Sequence, residues 1–450
     1  MRPISARELG DIVGGVPRSL APEVVATGFA WDSRQVRPGD VFLCIRGERA
    51  DGHDFAADAA AAGASFALAE REVGVPCLLV PNVVGAVARI GMAFRDRFRG
   101  RVVGVTGSNG KTSTKEFLAA ALGVAGPVLK TPGNRNTEIA SPLVWTEAEP
   151  SMGHAVVEMA MRGFGQIRHL ALIARPHIGV VTNIGWSHLE MVGSREGIAK
   201  AKGELLEVLP ADGLAVVWRE DPFASRLIGA SPAPTQTFGF SEGAECRILS
   251  VEPEGLEACR IEGVCHGERF AGRVPAAGRH MALNAAAAVL VASFEGVRPQ
   301  RAIEAIAEVV LPPMRMEVRR WRGATLLLDA YNSSPTSLAA ALEVLLSAPD
   351  ARRRLAVVGE MRELGEFEAA AHRGALEDLR RRRLDGVLLV GEAFRRLEIP
   401  PEPEEGLQVA EGLEDVREFL HRLGPGDVCL IKGSRALELE KALPQKEADS

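Results

Sequence analysis

Arg101-Val102-Val103-Gly104-Val105-Thr106-Gly107-Ser108-Asn109-Gly110-Lys111-Thr112-Ser113 decides how the middle of this chain folds. β-Branched residues dominate the first six positions, which predicts a buried strand. Gly107 and Gly110 then bracket a turn, and a helix is predicted from about Lys111. Such a loop can turn its backbone N–H groups inward, and the helix N-terminus adds partial positive charge. Lys111 supplies a mobile cation for outer phosphates, and the Thr112 hydroxyl can bind magnesium. The position six before Lys111 is Val105, not the glycine of the common phosphate loop. The Lys-Thr pair in a strand–turn–helix setting nevertheless points to nucleotide phosphates, with Thr106, Gly107, Ser108, Asn109, Gly110, Lys111, Thr112 and Ser113 as the binding stretch.

Outward from this loop, residues 155–158, 178–182 and 214–218 read as further strands with helical segments between them. Strand and helix in alternation argue for a parallel sheet covered on both faces. Residues 237–274 lack helical periodicity and read as a strand-rich excursion, and an alanine-rich helix from near Met281 through Ala292 closes the block. Leu311-Pro312-Pro313 marks a linker, since consecutive prolines stop a helix. Beyond it, residues 325–329, 355–358, 386–390 and 427–431 read as parallel strands of a doubly wound domain. Before the phosphate loop, the apolar runs 41–45 and 77–80 and the alanine-rich stretch 55–64 imply a small α/β domain. The expectation is an α/β chain of three domains, at 1–98, 99–311 and 312–450, with a surface loop at 400–405 and a disordered tail from Pro444.

A chain of 450 residues exceeds what one hydrophobic core usually supports. Its formal net charge of −6 argues against a nucleic-acid binder. The basic run Arg380 to Arg383 reads, at helical spacing, as a solvated face. No apolar run approaches the roughly 18 residues needed to cross a bilayer, and Met1-Arg2-Pro3-Ile4-Ser5 lacks a signal-peptide core. The six cysteines, at 44, 77, 246, 259, 265 and 429, contain no CxxC pair and read as buried reduced thiols. A cytoplasmic protein without membrane insertion is expected.

A nucleotide site also needs groups that can hold its metal. Glu158 ends an apolar strand, which would place its carboxylate at the C-terminal sheet edge where open parallel sheets bind ligands. His188 follows another strand and turn, Thr182-Asn183-Ile184-Gly185-Trp186-Ser187, and could converge on the same edge as a metal ligand or as a structural histidine. Lys200 and Lys202 share one helix, and by periodicity both read as surface charges.

Together these segments resemble the Mur ligase family, which builds the peptide stem of the bacterial cell wall by ATP-driven amide formation. The resemblance runs from Asp32-Ser33-Arg34 through Lys432-Gly433-Ser434-Arg435. It implies a small N-terminal uridine-binding domain, a central P-loop ATPase domain and a C-terminal Rossmann-like domain. Asp32-Ser33-Arg34 and residues 47–53 match the uridine side, which places Ser33 and Arg34 near uracil and ribose, although such a pair could equally cap a helix. Residues 131–138 and 158–167 match segments around the reacting site, which implies substrate contacts from Asn134, Asn136, Thr137 and Arg162. The family carbamylates a lysine in the Ala-Lys-Gly-Glu segment, which selects Lys202 as a magnesium ligand beside Thr112, Glu158 and His188. Lys111, Glu158, His188 and Lys202 are thus the implied catalytic set.

By the same resemblance, His280 and Asn284 lie on the adenine side, with Met281 in place of an asparagine common in relatives. Asp329-Ala330-Tyr331-Asn332-Ser333-Ser334-Pro335 implies Asp329 on the ribose hydroxyls and Asn332 facing dipeptide or nucleotide, with Arg315 also contacting ATP. Ser334 replaces the usual asparagine of that segment. Residues 359–366 with His372 point to the branch that joins D-alanyl-D-alanine to UDP-N-acetylmuramoyl-tripeptide. The implied cofactors are ATP, Mg2+ and the carbamate on Lys202. The implied state is a monomer whose third domain closes over ATP.

Overall fold

The computed structural model describes residues 1–47, 50–397 and 406–443. The expected loop at 400–405, the tail from Pro444, and Glu48 and Arg49 of the uridine-side segment lie outside the described residues. The chain forms two compact units. One comprises Met1–Gly104, Gly126–Ala160 and Arg168–Pro176; the other comprises Val105–Ala125, Met161–Ile167 and the chain from His177 onward.

In the first unit, five strands lie in the order Val16–Arg18, Cys77–Leu79, Phe66–Ala69, Asp40–Leu43, Gly28–Ala30. The first pair is antiparallel and the others parallel. Asp40–Leu43 and Phe66–Ala69 are buried at every position, as expected of strands covered on both faces. The alanine-rich stretch forms the helix Ala56–Ala61 behind a 3-10 turn. His154–Glu158 runs parallel to Val128–Lys130 in the same unit.

In the second unit, Ile178–Val181, Leu214–Trp218, Thr235–Gly239 and Cys246–Glu254 pair in parallel succession. Ala258–Cys265 and Glu268–Val274 then add antiparallel hairpins, which is the expected strand-rich excursion. The helix after the phosphate loop, Lys111–Gly123, packs against Arg279–Phe294 and Pro299–Ala307. Arg279–Phe294 buries Ala285 through Ala288 completely, so small side chains let the helices approach closely.

The second unit also holds a six-stranded sheet in the order Glu317–Trp321, Ala324–Asp329, Asp427–Lys432, Arg353–Gly359, Gly386–Val390, Leu407–Ala410. All neighbours are parallel except the first pair. The four central strands are those the apolar runs predicted. The two edge strands are additions, because an edge needs no continuous apolar run and Glu317-Val318-Arg319-Arg320-Trp321 carries three charges. All six cysteines are free and buried. Among the described residues, no helix is long and apolar enough to cross a membrane.

Candidate active site

The turn after Thr106 is shaped by two glycines that no other residue could replace in place. A Cβ on Gly107 would stand 1.8 Å from Thr182 Oγ1. Gly110 adopts φ +79°, and a Cβ there would stand 2.5 Å from Asn284 Oδ1. Residues 182–187 grip the loop from beside it. Ser108 N donates to Asn183 O (2.9 Å), Asn109 N to Asn183 Oδ1 (3.0 Å) and Gly185 N to Ser108 Oγ (2.8 Å). Thr182 Oγ1 donates to Asn109 O (2.6 Å) and Ser187 Oγ to Ser108 O (3.2 Å). These bonds hold the loop rigid, with Gly110 as a helix cap that has no side chain to compete with an anion. Lys111 Nζ folds back onto Gly107 O at 2.8 Å, which keeps its charge over the loop. Ser108, Thr112 and Ser113 are buried.

Lys202 corrects the periodicity reading. Lys200 is exposed over the Phe164 ring, but Lys202 on the same helix Arg195–Glu207 is 1% exposed. Burial, with the neighbouring Lys111 charge, pushes the Lys202 ammonium well below its ordinary pKa. His188 stands at the entrance to a one-turn helix in the left-handed conformation, φ +62°. Its Nδ1 is 2.7 Å from Glu363 Oε2. Burial lowers the His188 pKa and outweighs the pull of Glu363, while the close approach of the His188 ring lowers that of Glu363. The charges of Lys111 and Arg162 also act on Glu363. Lys111, Arg162, His188, Lys202 and Glu363 therefore form one electrostatic neighbourhood at the phosphate loop.

On the nucleotide side, Asn284 is buried, its amide donating to Met281 Sδ (3.5 Å) while its oxygen faces Gly110. The sulfur thus serves as a weak acceptor. His280 is pushed down to about 4 by burial, so its imidazole is neutral at physiological pH. Arg315 reaches Thr112 Oγ1 at 3.2 Å and lies 3.9 Å over the Tyr331 ring. Asp329 ends its strand and accepts from Lys432 Nζ (2.5 Å) and Met316 N (3.3 Å). Asn332 is exposed, its side chain accepting from Ser333 N. Ser334 caps the helix Pro335–Leu346 and also donates to Asn109 Oδ1 (3.3 Å), while Asn109 Nδ2 donates to Thr336 Oγ1 (3.0 Å). The segment from Asn332 to Thr336 is therefore in contact with the phosphate loop.

In the first unit, Glu158 ends its strand as expected and is 1% exposed. Its Oε1 accepts from Asn136 Nδ2 at 2.7 Å, and its backbone N donates to Thr131 Oγ1 at 3.0 Å. Asn134 and Thr137 are exposed on the same loop. Asp32 caps the 3-10 turn Ser33–Gln35 and is paired with the exposed Arg34 at 2.7 Å. Among the described residues, no three His, Cys, Asp or Glu side chains gather as a complete metal cage.

Family models match along nearly the whole chain: the Mur ligase family catalytic domain over residues 26–126, the Mur ligase middle domain over 105–292 and the Mur ligase glutamate ligase domain over 314–435. The UDP-N-acetylmuramoyl-tripeptide–D-alanyl-D-alanine ligase of Bacillus subtilis (strain 168) is 32% identical over 435 residues, which cover 93% of each chain. The chain belongs to the Mur ligase family. This Mur ligase superposes on MurF from Acinetobacter baumannii with a TM-score of 0.89 at 28% identity, over 98% of both chains. It superposes on MurF from Thermotoga maritima, solved in complex with ADP, with a TM-score of 0.80 at 33% identity, over 93% of this chain and 96% of that one. It has the three-domain α/β fold of those ligases. Two polar residues of this Mur ligase had no assigned part in the sequence reading: Glu363 on His188 and Lys432 on Asp329. Both contacts join residues far apart in the chain, so no local periodicity signals them.

Proposed function

We propose that this Mur ligase joins D-alanyl-D-alanine to the terminal carboxylate of UDP-N-acetylmuramoyl-tripeptide, using ATP and giving UDP-N-acetylmuramoyl-pentapeptide, ADP and phosphate. The observation that carries the reading is full-length similarity to ligases of that name, at 32% identity over 93% of both chains. The buried phosphate loop and Lys202 supply the chemistry such a ligase requires. We place the uridine-binding domain at 1–98, the ATPase domain at 99–311 and the C-terminal ligase domain at 312–450. The enzyme acts as a cytoplasmic monomer.

Joining a carboxylate to an amine is uphill in water, so the carboxylate must first become a better acyl donor. A tripeptide carboxylate oxygen attacks the γ-phosphorus of ATP and ADP leaves, giving an acyl phosphate. The dipeptide amine then attacks the acyl carbon, loses a proton, and phosphate departs. Positioning is most of the work. Thr106 to Ser113 cradle the phosphates, and Lys111 offsets charge between two anionic reactants. His280 and Asn284 take the adenine side, Asp329 the ribose, and Arg315 and Asn332 complete the nucleotide contacts. Ser33 and Arg34 serve the uridine end, while Asn134, Asn136, Thr137 and Arg162 serve the peptide end. The Asn109–Thr336 and Arg315–Thr112 contacts hold the C-terminal domain over the loop, where it excludes water from the acyl phosphate.

Thr112, Glu158, His188 and carbamylated Lys202 are the groups assigned to magnesium, which when bound would offset charge on the transferring phosphoryl group. A neutral amine is the form that adds CO2, and burial favours that form at Lys202. The neutral amine adds CO2 and loses one proton, which leaves a carbamate anion suited to a divalent cation where a buried ammonium would be costly. The test is ADP release from ATP with UDP-muramoyl tripeptide and D-alanyl-D-alanine, each supplied alone and together. Sustained turnover should require both; turnover independent of the dipeptide would refute the assignment.

A further inference from the structure

Cys246 and Cys265 are register partners across the antiparallel strands Cys246–Glu254 and Ala258–Cys265. His266 N donates to Glu245 O at 3.0 Å, so the ladder bond falls on the neighbouring residues and the cysteines occupy the position between bonds. Cα atoms at such a position stand about 4.5 Å apart, the closest approach in an antiparallel ladder. A disulfide spans about 4.4–6.8 Å between Cα atoms. Register partners share a face of the sheet, and both cysteines are 0% exposed. All six cysteines are free, and no other two oppose each other. Cys77 faces Arg18 and Ala67, Cys259 faces Pro253 and Val274, and Cys429 faces Leu326 and Leu355. Cys44 lies beyond its strand, its N donating to Leu68 O.

The register is held from both ends. Cys265 precedes the two-residue turn His266–Gly267, whose residues are both left-handed at φ +48° and +81°, the turn that suits the twist of a hairpin. The His266 ring lies 3.0 Å from Ser293 Oγ and 3.0 Å from Gln236 Oε1, which moors the turn to the helix Arg279–Phe294 and the strand Thr235–Gly239. Before Cys246, Glu245 Oε2 accepts from Thr237 N at 2.6 Å and from Thr237 Oγ1 at 2.8 Å. A one-residue slip, which would turn one cysteine to the opposite face, would break these contacts. Ser241 to Gly243 and His266 to Gly267 are exposed, so each thiol sits beside a solvent-facing turn. Burial, reinforced by the neighbouring Cys265 thiol, pushes the Cys246 thiol well above its ordinary value. It therefore stays protonated and slow to react while the hairpin is closed.

We propose that Cys246 and Cys265 form a latent disulfide, open in a reducing environment and closed by a small-molecule disulfide when this end of the hairpin opens transiently. One thiolate of the pair attacks the small disulfide, forming a mixed disulfide and releasing one small thiol. The other attacks the protein sulfur of that mixed disulfide, closing the Cys246–Cys265 bond and releasing the second small thiol. The two electrons and two protons lost by the protein pass to the small thiols. The bond ties together the ends of residues 246–265, so it staples the strands on which the helix Arg279–Phe294 packs.

The experiment incubates the full chain with oxidised glutathione at mildly alkaline pH, in buffer and in urea below the unfolding transition. Remaining thiols are alkylated in denaturant and mapped by mass spectrometry. The wild type should lose two of its six thiols to a Cys246–Cys265 crosslink that dithiothreitol reverses. Cys246→Ala and Cys265→Ala should form no internal crosslink. In the oxidised wild type, hydrogen exchange over residues 246–265 should slow about tenfold or more, and should stay unchanged over Gly386–Val390, a strand of another sheet. Retention of all six thiols under both conditions, or a crosslink to any other cysteine, overturns the proposal. A crosslink that leaves exchange in the hairpin unchanged overturns its stapling role.

Discussion

Lys432 and Asp329 are register partners at the ends of two adjacent parallel strands, and the Lys432 ammonium lies 2.5 Å from the Asp329 carboxylate. Lys432 is 1% exposed and also donates to Asn332 O at 3.0 Å. One buried cation therefore ties down both the proposed ribose acceptor and the loop that follows it. Removing one partner of a buried pair costs about 3–5 kcal/mol. Lys432→Met should destabilise the enzyme by that order in urea unfolding. The double variant Asp329→Asn/Lys432→Met should lose clearly less than the sum of the two single variants. Additive losses would mean that the pair is not coupled.

Gly110→Ala tests whether the phosphate loop tolerates a side chain. The residue is left-handed and its Cβ would collide with the Asn284 amide at 2.5 Å. Strain of about 1–3 kcal/mol should raise KM for ATP about tenfold or more. Gly374→Ala is the contrast: it lies inside the helix Glu368–Arg382 with open space around it, and should gain about 0.5–1 kcal/mol of stability.

Lys202 and Lys200 differ in burial while sharing a helix. Lys202→Ala should nearly abolish ligation, and Lys200→Ala should leave kcat within about threefold, given that exposed charges contribute little. Steady-state kinetics on both variants decide it, and equal losses would remove the reason for choosing Lys202 as the modified residue.

Asp427 should make stability depend on acid. Burial works to raise its pKa, but hydrogen bonds from Arg353, Arg352 and Gly424 N outweigh it and hold the carboxyl well below the usual range. A folded-state value below the unfolded value of about 3.9 means that the stabilisation is present above that pH and is lost as pH falls. Between pH 5 and pH 2, wild-type urea midpoints should fall more steeply than those of Asp427→Asn. Parallel curves would show that the cluster contributes no proton-linked stability.

By itself the sequence determined the elements and their class. Continuous apolar runs such as Val102-Val103-Gly104-Val105 and Leu326-Leu327-Leu328, short and bounded by turn residues, read as buried strands, and glycines at 107 and 110 followed by Lys111-Thr112 leave a phosphate turn as the chemically sensible reading. Those signals are local, because hydrophobic burial and backbone conformation act within a few residues. The tertiary structure alone decided which lysine of Lys200 and Lys202 is desolvated, which carboxylate reaches His188, and which cation holds Asp329. Each depends on the low-dielectric meeting of segments far apart in the chain, and desolvation is a property of the packed surroundings rather than of the residue that experiences it.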